Sequence, residues 1–443
     1  MGFMQDYITP SLKPIDFHVC PCYNGQKLCI QGEDIMEINI LPTKKQLAFL
    51  DWEFGVFFHF GIRTYYEGHQ DWDGRDMPSE AFMPEELNCR QWIKTVRDCG
   101  AKYAILTTKH HDGFANWPSA YTEYSVKNTP WKDGKGDVVR EFTEACREYG
   151  VGEGLYYSPA QKDFETMSDK EYDDYFINQI SELLSNYGKI DYLWFDGCGS
   201  ENHEYDRDRI IGVIRSLQPD IMIFSMWDPD TRWVGNEEGI TPLGCRYVVE
   251  SARTSIREQE SQWLAEPRFL PYECDCKIRR KNWFYSENDE HLLRSVEDLM
   301  GLYYYSVGRG GNLLLNIAPD RRGLLPDADC RRLAEFAAER ERRFAAPLEC
   351  TVEKQGDIYA IQLNQPALVD HIVLEEELAG GQKIFGFRFS LDYNVYMPLA
   401  EGKTVGHKQI CRFPAVYGEK FALEILDHAE EYALKNIRIY AAE

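Results

Sequence analysis

Between residues 54 and 319 the chain repeats one pattern: a short apolar run that ends on histidine, tyrosine, tryptophan or a carboxylate. The copies are Phe54-Gly-Val-Phe-Phe-His-Phe-Gly61, Ala101-Lys-Tyr-Ala-Ile-Leu-Thr-Thr-Lys-His-His-Asp-Gly113, the run from Val151 to Ser158, Ile190-Asp-Tyr-Leu-Trp-Phe-Asp-Gly197, Ile221-Met-Ile-Phe-Ser-Met-Trp227 and Asn312-Leu-Leu-Leu-Asn-Ile-Ala-Pro319. Apolar runs this short, bounded by glycine and polar residues, read as buried strands. Arg246-Tyr-Val-Val-Glu250 is a weaker copy. Helical stretches at 84–100, 137–150, 168–188, 207–218 and 295–308 separate them, most closing on glycine as a C-cap favours.

Strands that alternate with helices pair in parallel through crossovers, giving either an open doubly wound sheet or a closed barrel. Polar groups at the carboxyl ends of nearly every strand match the active face of a barrel. No Gly-x-Gly-x-x-Gly follows an early strand, which argues against a nucleotide-binding open sheet. The fold expected is therefore α/β, a (β/α)8-like barrel over residues 46–345. Its irregular segment, 225–295, implies that some outer helices are missing or replaced by loops. After residue 346 helical periods vanish, and short strands separated by Gly, Pro and Asp predict a C-terminal β-sandwich over 346–443. No aromatic platform is legible there, so buttressing is favoured over sugar binding. Residues 1–45, with a candidate strand at 35–41, read as an N-terminal extension packed on the barrel.

A net charge of −24 makes nucleic acid and anionic membrane surfaces poor partners, because both need a basic face. No stretch of 18 apolar residues exists, and the first residues lack the basic and apolar regions of a signal peptide, so the expected location is cytoplasmic. The 13 cysteines are an odd, scattered set. Cys20-Pro-Cys22 and Cys274-Asp-Cys276 are spaced too tightly for a zinc site, so the thiols read as free.

A barrel would gather His59, His110, His111, Tyr156, Tyr157, Trp194, Asp196 and Trp227 on one face. Taken singly, a strand-end carboxylate is as readily a helix cap, and a lone histidine is more often a satisfied core residue. Two adjacent histidines rarely enter a core together. Three histidines could hold a metal, yet no His-x-x-x-His or carboxylate spacing supports one. The alternative is a polyol pocket, in which imidazoles and phenols meet hydroxyl groups and aromatic faces meet the sugar ring. Glycoside hydrolysis then needs two carboxyl groups, one ionised and one protonated. Asp196 suits the first role; Glu237, Glu238, Glu250 and Glu273 are candidates for the second. A sugar-binding barrel without catalysis needs the aromatics but no carboxylate pair.

The first four runs, with Arg232-Trp-Val-Gly-Asn-Glu237, Trp283-Phe-Tyr285 and Ser306-Val-Gly-Arg-Gly-Gly-Asn-Leu-Leu-Leu-Asn316, resemble the α-L-fucosidases of glycoside hydrolase family 29, in the same order and over about residues 45–345. The resemblance implies a retaining exo-hydrolase acting through a covalent fucosyl-enzyme, a fucosylated glycan as substrate, and no metal or organic cofactor. Asp196 then corresponds to the nucleophile. His59, Trp72, His110, His111, Tyr156 or Tyr157, and Trp194 correspond to fucose-pocket residues. The turn Gly235-Asn-Glu-Glu-Gly239 resembles the branch specific for α-1,3/1,4-linked fucose, as in Lewis-type structures, and there the glutamate after Gly-Asn is the acid/base. That selects Glu237 over Glu238 and Glu273. The Ile278-Arg279 stretch resembles a leaving-group contact of the same branch. A broad specificity that includes aryl and α-1,2-linked fucosides, or a fucose-binding lectin-like protein, is the competing expectation. Arg279-Arg-Lys-Asn-Trp283 and Ala318-Pro-Asp320 depart from the usual pattern in loops.

Overall fold

The structure is a computed structural model that describes residues 40–68, 74–162, 164–197, 203–254, 261–394, 396–429 and 431–442. Most of the expected N-terminal extension, the candidate strand at 35–39 and Trp72 lie outside the described residues.

In chain order the elements of the first part are α1 (Lys44–Trp52), β1 (Phe54–Phe58), α2 (Cys89–Asp98), β2 (Tyr103–Lys109), α3 (Val138–Tyr149), β3 (Gly152–Tyr157), α4 (Asp169–Asn186), β4 (Tyr192–Phe195), α5 (Arg207–Leu217), β5 (Met222–Phe224), β6 (Arg232–Trp233), β7 (Val248–Arg253), β8 (Ser261–Phe269), β9 (Tyr272–Lys277), α6 (Val296–Tyr305), β10 (Asn312–Asn316) and α7 (Asp327–Phe344). Eight strands pair in parallel in the order β5-β4-β3-β2-β1-β10-β9-β6. A single parallel bridge between Phe224 and Thr231 joins the two ends of that path. The result is a (β/α)8-like barrel whose strands run round the ring in sequence order.

Local chemistry explains the helix boundaries. Ser168 and Glu171 form a capping box at the start of α4, and Asp137 accepts from the Arg140 N–H at the start of α3. Gly150 closes α3 in the left-handed region at φ 67°. The helix expected from residue 84 begins only at Cys89, because the Asn88 side chain accepts from the Gln91 N–H at 3.0 Å and sets the first turn there.

Among the described residues, two barrel helices are absent. β5 passes to β6 through a short loop, and the β7–β8 antiparallel hairpin stands between β6 and β9. Residues 246–250, expected as a barrel strand, therefore lead into that hairpin instead. The strand that fills the ring is β9, whose sequence Tyr-Glu-Cys-Asp-Cys-Lys lacks an apolar run. Alternation resolves it: Cys276 joins the cluster under the helices, while the polar Glu273 and Asp275 take the opposite face, inside the barrel. The barrel interior is a buried cluster of Phe57, Tyr103, Tyr156, Tyr192, Trp194, Phe224 and Leu314, closed at the base by Phe49 of α1.

The C-terminal part is antiparallel: β11 (Cys350–Gln355), β12 (Ile358–Glu376), β13 (Ile384–Leu391), β14 (Pro398–Gly402), β15 (Gln409–His428) and β16 (Leu434–Ala441). β12 and β15 are long and change register partway, so their two halves serve two layers. The period of two then divides the side chains. Ile372, Leu374, Cys411 and Ile439 fill the sandwich core, whereas their neighbours Val373, Ile410 and Tyr440 join the barrel's outer cluster. His371 Nε2 meets Tyr304 Oη of α6 at 2.9 Å on the same seam.

Candidate active site

Seven strand ends or the loops just past them converge at the carboxyl end of the barrel. Asp196 follows β4 and stays partly open, with 25% of its side chain exposed. Tyr156, at the end of β3, donates to Asp196 Oδ2 at 2.9 Å. His111, after β2, places Nε2 3.4 Å from the same oxygen. Its Nδ1 lies 2.6 Å from Ser158 Oγ, and that hydroxyl donates to the Ala160 carbonyl, so Nδ1–H is the donor and the tautomer is set.

His59, after β1, is buried against Trp283 at 4.9 Å between ring centroids. Its Nδ1 is 2.7 Å from Asn316 Oδ1 of β10, and Asn316 Nδ2 donates to the Trp283 carbonyl. Since the amide N–H is committed, Asn316 accepts through oxygen and His59 presents Nε2 as an acceptor. Burial drives the His59 pKa down to about 3, against the opposing pull of the Asn316 hydrogen bond and the Asp196 charge. Lys277 also acts on it. His110 stacks on Tyr156 at 5.5 Å and 12°, with Phe284 edge-on at 5.1 Å. Burial, then His111 and Arg63, push its pKa well below the ordinary histidine range. Among the described residues nothing bonds His110 Nδ1, so a buried neutral imidazole has a vacant hydrogen-bonding position beside Tyr156.

A further carboxylate follows β6, two places round the ring from β4. Glu237 is half-buried and accepts from Lys277 Nζ of β9 at 3.2 Å, while that ammonium sits 4.4 Å from the centre of the Trp283 ring. Glu238 is exposed, its N–H held by Asn236 Oδ1, and Glu250 is exposed on the hairpin. Both carboxylate loops pack on the β7–β8 hairpin. A Cβ at Gly197, next to Asp196, would run into the Thr254 carbonyl, and one at Gly235 (φ 96°) would meet Arg253 at 3.0 Å. A cleft of about 840 Å³ opens beside His111, bounded by Arg63, Arg75, Tyr124 and Lys162.

Several expected site residues are placed elsewhere. Tyr157 points the opposite way from Tyr156, as adjacent strand residues must; its hydroxyl donates to Gln179 Oε1 of α4 at 2.8 Å and it belongs to the packed shell. Trp227 likewise packs on Phe195 and Phe176. Glu273 is wholly buried in the barrel interior, with Tyr103, Tyr192 and Trp194 donating to it, and has no exposed face from which to protonate a leaving group. Arg279 is buried in ion pairs with Asp289 and Asp329, a structural use that withdraws it from leaving-group contact. Sequence reasoning had not singled out Asn316, Lys277 or Ser158, although Asn316 and Ser158 end recognised runs. Among the described residues no group of three or more His, Cys, Asp or Glu side chains is arranged to hold a metal ion.

A sequential parallel barrel with imidazoles, a phenol, indoles and two carboxylates at its strand ends is the frame of a glycoside hydrolase. The family described as Alpha-L-fucosidase matches residues 37–338. Alpha-L-fucosidase 1 of Arabidopsis thaliana is 32% identical over 435 residues, which span 88% of this chain and 85% of that protein. Tissue alpha-L-fucosidase of Bos taurus is 24% identical over 331 residues, 62% of each chain. The crystal structure of a glycoside hydrolase 29 family member from an unknown rumen bacterium superposes with a TM-score of 0.84 at 32% identity, covering 91% of this chain and 78% of that one. The chain belongs to the α-L-fucosidases of glycoside hydrolase family 29, and its activity is the hydrolysis of α-L-fucosides.

Proposed function

We propose that this fucosidase works by double displacement on terminal α-1,3/1,4-linked fucose of branched, Lewis-type glycans, with Asp196 as nucleophile and Glu237 as acid/base. The observation that carries the reading is the placement of Asp196: a partly open carboxylate at the strand end, held by the Tyr156 hydroxyl and faced by His111. In the first step Asp196 attacks the anomeric carbon while Glu237 gives its proton to the departing glycosidic oxygen. In the second, Glu237 takes a proton from water, whose oxygen displaces Asp196 and releases fucose. Such retention requires carboxyl groups about 5–5.5 Å apart on opposite sides of the bond. Glu237 suits this better than Glu238 because Lys277 draws it toward β9, whereas Glu238 faces solvent. His59, His110, His111 and Trp194 line the fucose pocket, with His59 accepting at Nε2 and His110 using its vacant Nδ1. The linkage preference is supported by the resemblance of the Gly235–Gly239 turn to the α-1,3/1,4 branch.

Proton NMR of the first sugar released tests the stereochemistry: α-L-fucose is expected, and β-L-fucose as the initial product would exclude double displacement. Asp196→Ala should abolish turnover and yield β-fucosyl azide when azide is added. Glu237→Ala should accumulate fucosyl-enzyme and respond to azide with the α-anomer; that behaviour in Glu238→Ala instead would move the acid/base role. Equal rates on an α-1,2-linked disaccharide and a Lewis trisaccharide would favour broad specificity.

A further inference from the structure

Glu273 is a charged residue type at the centre of a barrel, with 0% of its surface exposed. No lysine or arginine bonds it among the described residues; its partners are Tyr103 Oη at 2.5 Å, Trp194 Nε1 at 2.8 Å and Tyr192 Oη at 3.4 Å. A buried carboxyl without a cation is costly, and a core made of apolar residues would avoid the cost. Of its three donors, Trp194 is the one that also touches the site. Its indole is stacked between Phe224, at 4.1 Å and 12°, and Tyr156, at 5.5 Å and 25°. Stacking on two parallel faces restrains tilt but leaves sliding and in-plane rotation soft; a hydrogen bond from the ring edge to a fixed acceptor removes that freedom. Tyr156 in turn carries the hydroxyl that holds Asp196 and the face on which His110 stacks.

We propose that Glu273 is a positioning residue of the fucose pocket, fixing Trp194 through its indole N–H and, through the Trp194–Tyr156 stack, the hydroxyl that orients Asp196. This deepens the site reading given above and rests on Trp194 and Asp196 having the roles stated there. Glu273 touches neither sugar nor reacting atoms. Burial raises its pKa to about 7, with the three donors pulling it down, so near neutrality the carboxyl holds its partners in either protonation state. An amide can do the same, since its oxygen also accepts from the indole.

The test compares Glu273→Gln with Glu273→Leu, measuring kcat and KM on an aryl fucoside, the inhibition constant of L-fucose, and Tm. Glu273→Gln should keep KM and the fucose constant within about three-fold of wild type, because the acceptor survives. Glu273→Leu should raise both by roughly ten-fold and lower kcat by a similar factor, the scale of one lost hydrogen bond to a buried acceptor. Where the leucine variant does not fold, Trp194→Phe removes the donor and keeps a stacked ring; it should reproduce the rise in KM and in the fucose constant. A leucine variant with reduced Tm but wild-type kcat, KM and fucose constant would overturn the proposal, as would wild-type constants in Trp194→Phe. The fucose constant involves no chemistry. Activity surviving in Asp196→Ala would therefore remove the nucleophile assignment while leaving the Glu273–Trp194 result readable.

Discussion

Tyr156 Oη donates to Asp196 Oδ2 at 2.9 Å, from the neighbouring strand and from beneath the carboxylate. The bond holds that oxygen in place. Removing it with Tyr156→Phe keeps the ring on which His110 and Trp194 stack. A hydrogen bond to a charged group is worth about 1.5–3 kcal/mol, so kcat should fall roughly 10–100-fold. KM for an aryl fucoside should change much less, and steady-state kinetics with matched circular dichroism spectra separate the loss from misfolding.

Two inward carboxyls of β9 make stability depend on pH in an uncommon direction. Burial raises the Glu273 pKa from an ordinary 4.5 to about 7, and that of Asp275 from 3.8 to about 8. Asp275 accepts from Trp233 Nε1 at 2.6 Å and feels the charges of Glu237 and Glu273. For a group whose folded pKa is raised, the stabilisation is complete below the unfolded value and is lost as pH climbs through the folded one. For Glu273 the window runs from 4.5 to about 7 and the loss is on the order of 3 kcal/mol. Glu53 opposes this at low pH: burial alone would raise its pKa, but His407 and Lys408 hold it at about 2, so its contribution fades only in strong acid. Urea unfolding should therefore give a higher midpoint at pH 5 than at pH 8.5. Glu273→Gln should reduce the difference by the share of that carboxyl, because an amide does not ionise, while Asp275 keeps the remainder.

His59 and Asn316 form the other fixed pair. Asn316→Ala would leave a buried imidazole N–H without an acceptor and release the Trp283 carbonyl as well. An unsatisfied buried donor costs about 1–3 kcal/mol. The Tm should drop by several degrees, and KM should rise because His59 is no longer bound to one tautomer. A variant with lowered Tm and unchanged KM would place His59 outside the sugar site.

What the sequence could and could not disclose divides along one line, namely whether a strand's inward face is apolar. β1, β2, β3, β4, β5 and β10 are buried by apolar or aromatic residues on both faces and were legible as runs. β6 is two residues long, and β9 carries Glu273 and Asp275 inward, so neither shows the pattern by which a buried parallel strand is recognised. The same alternation separates Tyr156 from Tyr157, which a motif alone could not rank. Asp196, His59, His110 and His111 stood out because polar residues at the end of apolar runs have few other places to go. Lys277 and Asn316 were hidden because their meaning depends on partners 40 and 257 residues away in the chain.

The position after Asp196 gives the sharpest steric prediction. Gly197 lies so close to the β7–β8 hairpin that a Cβ would overlap the Thr254 carbonyl, which is backbone and cannot swing aside as a side chain could. Gly197→Ala must move either the hairpin end or the strand end that carries Asp196. Because Tyr156 holds the carboxylate from below, a shift of a few tenths of an ångström would be taken up partly by the Asp196 backbone and would degrade the line of attack proposed for it. Misplacement near 1 Å costs on the order of 100-fold, and a smaller displacement should lower kcat by about ten-fold. The barrel core lies below this loop, so the Tm should fall by only a few degrees. The fucose inhibition constant should change little if the loop yields and the pocket does not, a result that a titration with L-fucose checks directly.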